Sequence, residues 1–588
     1  MATPEQTIQA ALDQARAGQP GPAIATLRRL LQRQPANLTA AQALGQLLLV
    51  TGQEEQGLFQ FQRCVESGPR IASFRNNYGM ALWQAGRRRE SVDQFREAVR
   101  LDHQYAIGWI GLSMALVGVP DFDGAAAAAR RAIELNPGIG EAHQNLALAL
   151  LEAGKVEEAV EAFARGLAVA PGNAGMHSTM LIAMNYRDYP VERVLAEHRR
   201  FGSLHPPLPG TRPASTDLDP ARRLRVGYLS RDFRNHSVGY FAGAMLEHHD
   251  RQSIEAWCYS ASSPRHDDAV TTRLRGLADR WIDASALDDP GLDTRIRADK
   301  IDILVELAGH SAGNRLTALV AKPAPIIVTA LGYPNTTGVG AVDYRLVDSL
   351  TDPPGAERLA TEKLLRLDPC FLCYRAPEGL GDAARWDPSR VERGEVVFGS
   401  FNALQKVSPA VIQAWATLLR HLPASRLVVK AGAFDDGPTR DRVAAEFSAA
   451  GADPSRIELM RPNQSQAEHL ALYGRIDIAL DTFPYNGTTT TCEALWMGAP
   501  VVTWTGPTHA ARVGASLLAA VGLNDLVGNT VDDYTAIAAA LGKAPARLAS
   551  LRAGLRDRMA RSVLCDSAAY ARRWESALRG IWSGRCRP

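Results

Sequence analysis

Small, apolar and turn-forming positions in the first third of the chain recur with a step of 34 residues. Ala23, Gly57, Ser91, Ala125 and Ala159 share one register, and Leu44, Tyr78, Leu112 and Leu146 share another. Turn residues keep the same step: Gly18, Gly52, Gly86 and Gly154, with Pro120 in the missing slot, then Pro35, Pro69, His103, Pro137 and Pro171. Registers that repeat in phase predict helix–turn–helix units, each too small to bury its apolar face without a neighbour. The array is expected over residues 1–171. Residues 172–201 continue as helix, and 202–222 are Pro-rich and poorly periodic, so a helical connector and a linker are expected over 172–222.

From Leu224 onward the period changes. Short apolar runs alternate with amphipathic helical stretches: LRVGYLS, IEAWCYS, IDILVELAG and APIIVTALG, then, after a break near 376–394, EVVFGSF, RLVVKAG, IELM, IDIALD and PVVTW. Continuous apolar runs of this length read as buried parallel strands. Two groups of them predict two doubly wound, Rossmann-like α/β domains, over 223–385 and 386–588, with ligands beyond the carboxyl ends of the strands and an active site in the cleft between the domains. C-terminal helices are assigned to the second domain.

Composition narrows the function. Across 588 residues, 65 Lys+Arg against 63 Asp+Glu leave a formal charge of +2, which gives no basic field for nucleic acid. Seven scattered cysteines fit a reduced compartment rather than a disulfide framework. Cys370 and Cys373 form a CxxC, but no second ligand pair follows, so no zinc site is expected. Neither a signal peptide nor a membrane-length apolar run is present, and a cytoplasmic location without membrane association is expected.

Four segments carry candidate chemistry. In LDTFPYNGTTTTCEALWMGAP, a strand, a turn and a helix place four threonines at a helix start, where the first N–H groups lack partners. The threonines can cap the helix, with Glu493 in its first turn, or the turn can seat a phosphate. In GYLSRDFRNHSVGYF, Asp232 and His236 follow the first strand, either as caps or as proton acceptors for a hydroxyl nucleophile. ALGYPNTTG brings a glycine turn to another strand end. In FGSFNALQKVSP, Lys406 lies between a strand and a helix starting near Ser408, either solvated or as a cation for a diphosphate. A metal alternative finds only Asp121-Phe-Asp123 in the array and Asp217-Leu-Asp219 in the linker, neither at a sheet edge.

The array resembles tetratricopeptide repeats, keeping Trp109-x-x-Leu112. With DF-x-N-H, GYP-x-T, FN-x-L-x-K and the Gly-Thr-Thr turn in this order, nearly the whole chain resembles the O-linked N-acetylglucosamine transferases of glycosyltransferase family 41, which join such repeats to a two-domain catalytic half of GT-B type. The resemblance implies a metal-independent inverting enzyme without cofactor, moving N-acetylglucosamine from UDP-N-acetylglucosamine to Ser or Thr hydroxyls of a polypeptide held by the repeat groove. By the same resemblance, His236 positions sugar and acceptor and Asp232 is a candidate base. Lys406 neutralises the donor phosphate, and Leu331 and Gly332 touch the sugar. Asn402, Gln405 and His469 line the nucleotide site, with Thr488, Thr489 and Thr490 at the pyrophosphate and Glu493 on the ribose. Ala403, Thr488 and Leu472 depart from the usual Gln, His and Arg, and Ala43 and Gly111 interrupt an asparagine register kept by Asn77 and Asn145. GDP-fucose or UDP-glucose donors remain alternatives within the fold, and a nucleotide-binding scaffold without turnover remains one outside enzymes.

Overall fold

The computed structural model describes residues 2–206, 217–376, 386–463 and 465–586. Residues 207–216 of the expected linker, and the expected boundary between the α/β domains at 385, lie outside the described residues. The chain divides into two compact units, Met1–Ala170 and Pro171–Pro588.

In the first unit, helices pair from Pro4–Arg16 with Pro20–Arg33 through to Gly140–Glu152 with Val156–Val169. The 34-residue registers are the packing contacts: Ala23, Ala125 and Ala159 are fully buried, and Ser91 Oγ closes onto Gly79 O at 2.8 Å. Asn77 Nδ2 donates to Gln42 Oε1 at 3.1 Å and Asn145 Nδ2 to Ile110 O at 3.0 Å, so both asparagines tie one repeat to the preceding one. Gly111 stands between them because a Cβ there would lie 2.3 Å from the Phe95 ring.

The second unit opens with two helices, Ala174–Met184 and Val191–Leu204, where the sequence reads as one. Pro190 enforces the break: it caps the second helix and cannot donate a backbone bond to the first. A seven-stranded, all-parallel sheet follows, with β1 Leu224–Ser230, β2 Ile254–Ser260, β3 Arg280–Asp283, β4 Ile303–Glu306, β5 Ile326–Thr329, β6 Tyr344–Val347 and β7 Lys363–Arg366 in the order β3-β2-β1-β4-β5-β6-β7. A six-stranded parallel sheet comes next, with β8 Val397–Ser400, β9 Arg426–Lys430, β10 Ile457–Met460, β11 Ile478–Leu480, β12 Val501–Trp504 and β13 Val527–Gly528 in the order β10-β9-β8-β11-β12-β13. Chain order reverses between β1 and β4 and again between β8 and β11, the switch points at which doubly wound sheets open a ligand crevice.

Of the C-terminal helices assigned to the second domain, Val531–Gly542 lies against the second sheet, whereas the final helix, Ser567–Cys586, does not. Its buried face, including Tyr570, Trp574 and Trp582, returns to the first sheet's side. Trp574 Nε1 donates to Tyr228 Oη at 3.0 Å, and Glu575 Oε1 accepts from the Asp250 amide at 2.7 Å. The same half also receives the two opening helices: His198 Nε2 meets Tyr333 Oη at 2.7 Å, and His310 Nδ1 meets Ser178 Oγ at 2.9 Å.

Candidate active site

At the β8/β11 switch point, Asp481 organises the turn. One carboxylate oxygen accepts the amides of Thr482 at 2.9 Å and Gly487 at 2.6 Å, and the other accepts the Thr503 hydroxyl at 2.7 Å. Burial pushes its carboxyl up to about 6. Gly487 is obligatory, since a Cβ would come within 2.4 Å of Thr490 Oγ1 and 2.8 Å of Thr491 Oγ1.

The threonines then divide their labour, and of the two readings the sequence leaves open, capping by Thr488 is not realised. Thr488 occupies the cap position of the Thr489–Trp496 helix but makes no side-chain cap bond. Thr491 Oγ1 turns back to Gly487 O at 3.1 Å, and Thr490 Oγ1 donates to Asn402 Oδ1 at 3.0 Å. Thr489 Oγ1 is buried and has no partner among the described residues. Glu493 lies beyond the first turn and serves a different purpose from dipole compensation: it accepts from His469 Nε2 at 3.1 Å. Lys430, at the end of β9, reaches His469 Nδ1 and completes a Lys–His–Glu chain. Burial pulls the Lys430 amine down to about 8, with Glu493 opposing the shift. The sequence reading missed Lys430, for which a polar residue closing the apolar run RLVVK was the available signal. Leu472, where the resemblance expects an arginine, is buried.

Lys406 is not a solvated loop lysine. Its Nζ donates to Asn486 O at 2.9 Å and stands 4.2 Å from the centre of the Tyr485 ring. Desolvation lowers the amine to about 8, with Asp481 opposing the shift. Its loop is held from behind: Arg187 Nη1 donates to Gln405 O at 2.8 Å, and the Tyr186 and Tyr485 rings pack 5.1 Å apart.

At the β1/β4 switch point, Asp232 is 4% exposed and accepts from Arg234 Nη2 at 3.3 Å. His236 caps the Ser237–Leu246 helix, its Nδ1 accepting the Val238 amide at 3.2 Å, and Asp232 Oδ2 lies 3.8 Å from the same nitrogen. Burial depresses the imidazole's basicity, Asp232 opposing and Arg234 and Arg231 reinforcing. A neutral ring whose Nδ1 accepts carries its proton on Nε2, so His236 keeps Nε2 as a donor. Leu331, at φ 61°, holds a left-handed conformation unusual for a branched residue, and Gly332 follows with no room for a side chain, since a Cβ would lie 2.1 Å from Leu307 O. Glu306 braces this turn from β4, accepting the amides of Ala308 at 3.1 Å and Gly309 at 2.9 Å as well as the Thr329 hydroxyl.

Two clusters result. Asn402, Thr490, Glu493 and His469 are joined by direct or one-residue contacts on the second sheet, and Asp232 and His236 pair on the first. The halves touch where Gln466 Nε2 donates to Tyr240 Oη at 2.6 Å. Among the described residues, no group of three or more His, Cys, Asp or Glu side chains is arranged to hold a metal, and Cys370 and Cys373 are buried free thiols.

Comparison with known proteins agrees with this architecture. The tetratricopeptide repeat profile matches residues 110–174, and that of glycosyl transferase family 41 matches 210–374 and 388–574. The chain is 42% identical over 418 residues to the probable UDP-N-acetylglucosamine–peptide N-acetylglucosaminyltransferase SPINDLY of Arabidopsis thaliana, covering 69% of this chain and 45% of that protein. It is 29% identical over 418 residues to the Arabidopsis protein SEC, described by the same activity, covering 68% and 42%. The chain thus spans less than half the length of these plant relatives. A solved lysine-to-methionine mutant of the Thermobaculum terrenum O-GlcNAc transferase superposes with a TM-score of 0.80 at 35% identity, over 88% of this chain and 98% of that one. The family profile covers both α/β halves, switch points included, and the chain belongs to glycosyl transferase family 41.

Proposed function

We propose that the protein transfers N-acetylglucosamine from UDP-N-acetylglucosamine to Ser or Thr hydroxyls of polypeptides, with inversion at the anomeric carbon and without a metal ion. The observation that carries this reading is the open N-terminus of the Thr489–Trp496 helix, with the unpartnered Thr489 hydroxyl beside its free amides. Such a terminus takes a phosphate oxygen through backbone N–H groups and the helix dipole. Lys406 supplies the cation that the departing diphosphate needs, and the His469–Glu493 pair offers an acceptor to ribose hydroxyls.

The reaction is a single displacement. The acceptor oxygen bonds to the anomeric carbon as the bond to the β-phosphate oxygen breaks, and UDP leaves with the electron pair. His236, donating from Nε2, orients an oxygen of the sugar or acceptor. Asp232 takes the hydroxyl proton, directly or through a water. The names of the plant relatives and of the Thermobaculum enzyme support the donor, and the repeat array supports a polypeptide acceptor.

Calorimetry with UDP, GDP and their sugar conjugates, with and without chelator, tests the donor side; transfer to a polypeptide with and without residues 1–171 tests the acceptor side. UDP affinity insensitive to chelator and protein transfer weakened by the truncation are expected. Loss of UDP binding on chelation overturns the metal-free reading, a preference for GDP moves the donor to GDP-fucose, and absence of any nucleotide binding leaves a scaffold.

A further inference from the structure

Outside the donor and acceptor clusters, a cavity of about 250 Å³ is lined by the turn between the two opening helices, the loop after β6 and the loop after β12. Four arginines face it, Arg187, Arg345, Arg358 and Arg512, against two aspartates, Asp188 and Asp352. Arg345 stands out because it belongs to a buried strand and is only 4% exposed. Its Nη1 lies 3.4 Å from Asp352 Oδ1, and its Nη2 is buried without a hydrogen-bond partner among the described residues. Asp352 is engaged elsewhere, its Oδ2 meeting His509 Nδ1 at 2.5 Å. Burial resists ionisation of Asp352, but Arg345 and His509 outweigh it and hold the carboxyl well below its usual range. The aspartate is therefore a charged partner of both His509 and Arg345, and what it leaves unused is the Arg345 Nη2 donor.

A guanidinium withdrawn from water with an unused donor is costly, and a charged partner relieves that cost. We propose that this cavity is a binding site for a carboxylate, held by Arg345. The planar fork of a guanidinium matches a planar two-oxygen anion, and the aspartates in the same wall disfavour a doubly charged phosphate. Two sources present that chemistry: a free small carboxylate, or an acidic side chain of the polypeptide acceptor. The second source rests on the proposed transferase reading, and Arg187 gives it a physical basis, since it lines the cavity while bonding to Gln405 O in the Lys406 loop. An acidic residue seated there is anchored beside the transfer centre.

The test is direct binding to the full chain by calorimetry in an oxyanion-free buffer, using acetate, succinate and inorganic phosphate, with UDP binding measured on every variant as a separate control. Acetate and succinate should bind, Arg345→Met should weaken them about tenfold, as expected for one lost bond to a charged group, and Asp188→Asn, at an exposed position, should tighten them. A matched pair of acceptor peptides, one with Glu and one with Gln beside the target Ser, separates the sources. A Glu preference lost in Arg345→Met assigns the site to the acceptor, and binding of free carboxylates without that preference assigns it to a small ligand. No carboxylate binding, binding indifferent to both variants, or Arg345-dependent binding of phosphate in preference to carboxylate overturns the proposal. UDP binding lost in the unmodified protein would instead count against the transferase reading alone.

Discussion

The two switch points are built from the same parts, a buried strand, a short turn and a helix, yet they end in opposite states. After β1, the helix beginning at Ser237 is closed by its own cap, the His236 ring nitrogen on the Val238 amide at 3.2 Å. After β11, the helix beginning at Thr489 has a threonine at its cap position that does not cap, and a neighbouring threonine hydroxyl without a partner among the described residues. A capped helix has spent one of its free donors internally, whereas an uncapped one presents them to a ligand. On the proposed reading, the difference gives anion binding to the second half and proton and hydroxyl positioning to the first. Hydroxyl-rich sequence at a helix start does not by itself tell a cap from a phosphate seat.

The largest effect should come from the cation beside the open helix. If Lys406 meets the leaving diphosphate as proposed, Lys406→Ala removes that charge, and losing one preorganised electrostatic partner costs about 10²–10³ in rate. UDP affinity should change far less, because a helix-terminus contact contributes roughly 1 kcal/mol or less. With the amine lowered to about 8 by desolvation, kcat/KM of the wild type should fall as pH rises through that value, since only the protonated form stabilises the leaving group. Steady-state kinetics across pH check both statements. Near-normal turnover in the variant would leave the open helix without its catalytic partner.

The frame behind the closed helix is next. His198 is fully buried between the opening helices and Tyr333, and desolvation lowers it from 6.5 to about 4. A histidine with a depressed folded value stays neutral in the native state while the unfolded chain takes up a proton, so its contribution is fully present above 6.5 and is lost as pH falls toward 4. At about 1.4 kcal/mol per unit, the loss is about 3 kcal/mol. Burial drives His310 in the same direction. Hydrogen exchange, corrected for intrinsic rates, should therefore show the helices 174–184 and 191–204 losing protection between pH 6.5 and 4.5, while the Thr489 helix keeps its own. Equal loss in both regions would mean that the two halves do not differ in this respect.

How far the sequence carried depends on what each element buries. LRVGYLS is readable because both faces of β1 are covered, and β1 runs over those same seven residues. β3 and β7 were not readable: they are sheet edges, half exposed, and RWID and KLLR break the apolar run that marks an interior strand. β6 escaped for the opposite reason, since it carries the buried Arg345 in its middle. In the site, the strand–turn–helix context of the threonines was legible, but the division of labour among them was not, because bonds to Asn402 and Gly487 depend on tertiary placement. The same holds for Lys406, whose burial depends on Tyr485, and for Lys430, whose partner His469 is 39 positions away.

A smaller effect tests the open helix alone. Thr489→Val deletes a hydroxyl that has no partner among the described residues, so thermal stability should be unchanged. If the hydroxyl bonds a charged phosphate oxygen, UDP affinity should fall about tenfold, and Thr489→Ser should restore it. Thr490→Val is the contrasting variant, because it breaks the bond to Asn402 and perturbs the protein before any nucleotide arrives. Calorimetry and melting curves on the three variants separate ligand contact from packing. UDP affinity equal in wild type and Thr489→Val would make the unpartnered hydroxyl incidental.

The smallest effect is expected at the closed helix, where cap and chemistry share one ring. His236→Ala removes both, and loss of a helix cap costs about 1 kcal/mol. His236→Asn keeps a side-chain oxygen able to accept the Val238 amide, so it should retain most of that stability while losing the ring Nε2 donor. Unfolding should therefore separate the two variants by about 1 kcal/mol, whereas sugar transfer should be impaired in both. Nucleotide affinity should stay near that of the wild type, because the diphosphate is assigned to the other half. Transfer retained in His236→Asn would reduce His236 to a cap and leave Asp232 as the only assigned reactive group after β1. Transfer lost at full nucleotide affinity would locate the difference between the two helices in the free nitrogen of the capping ring.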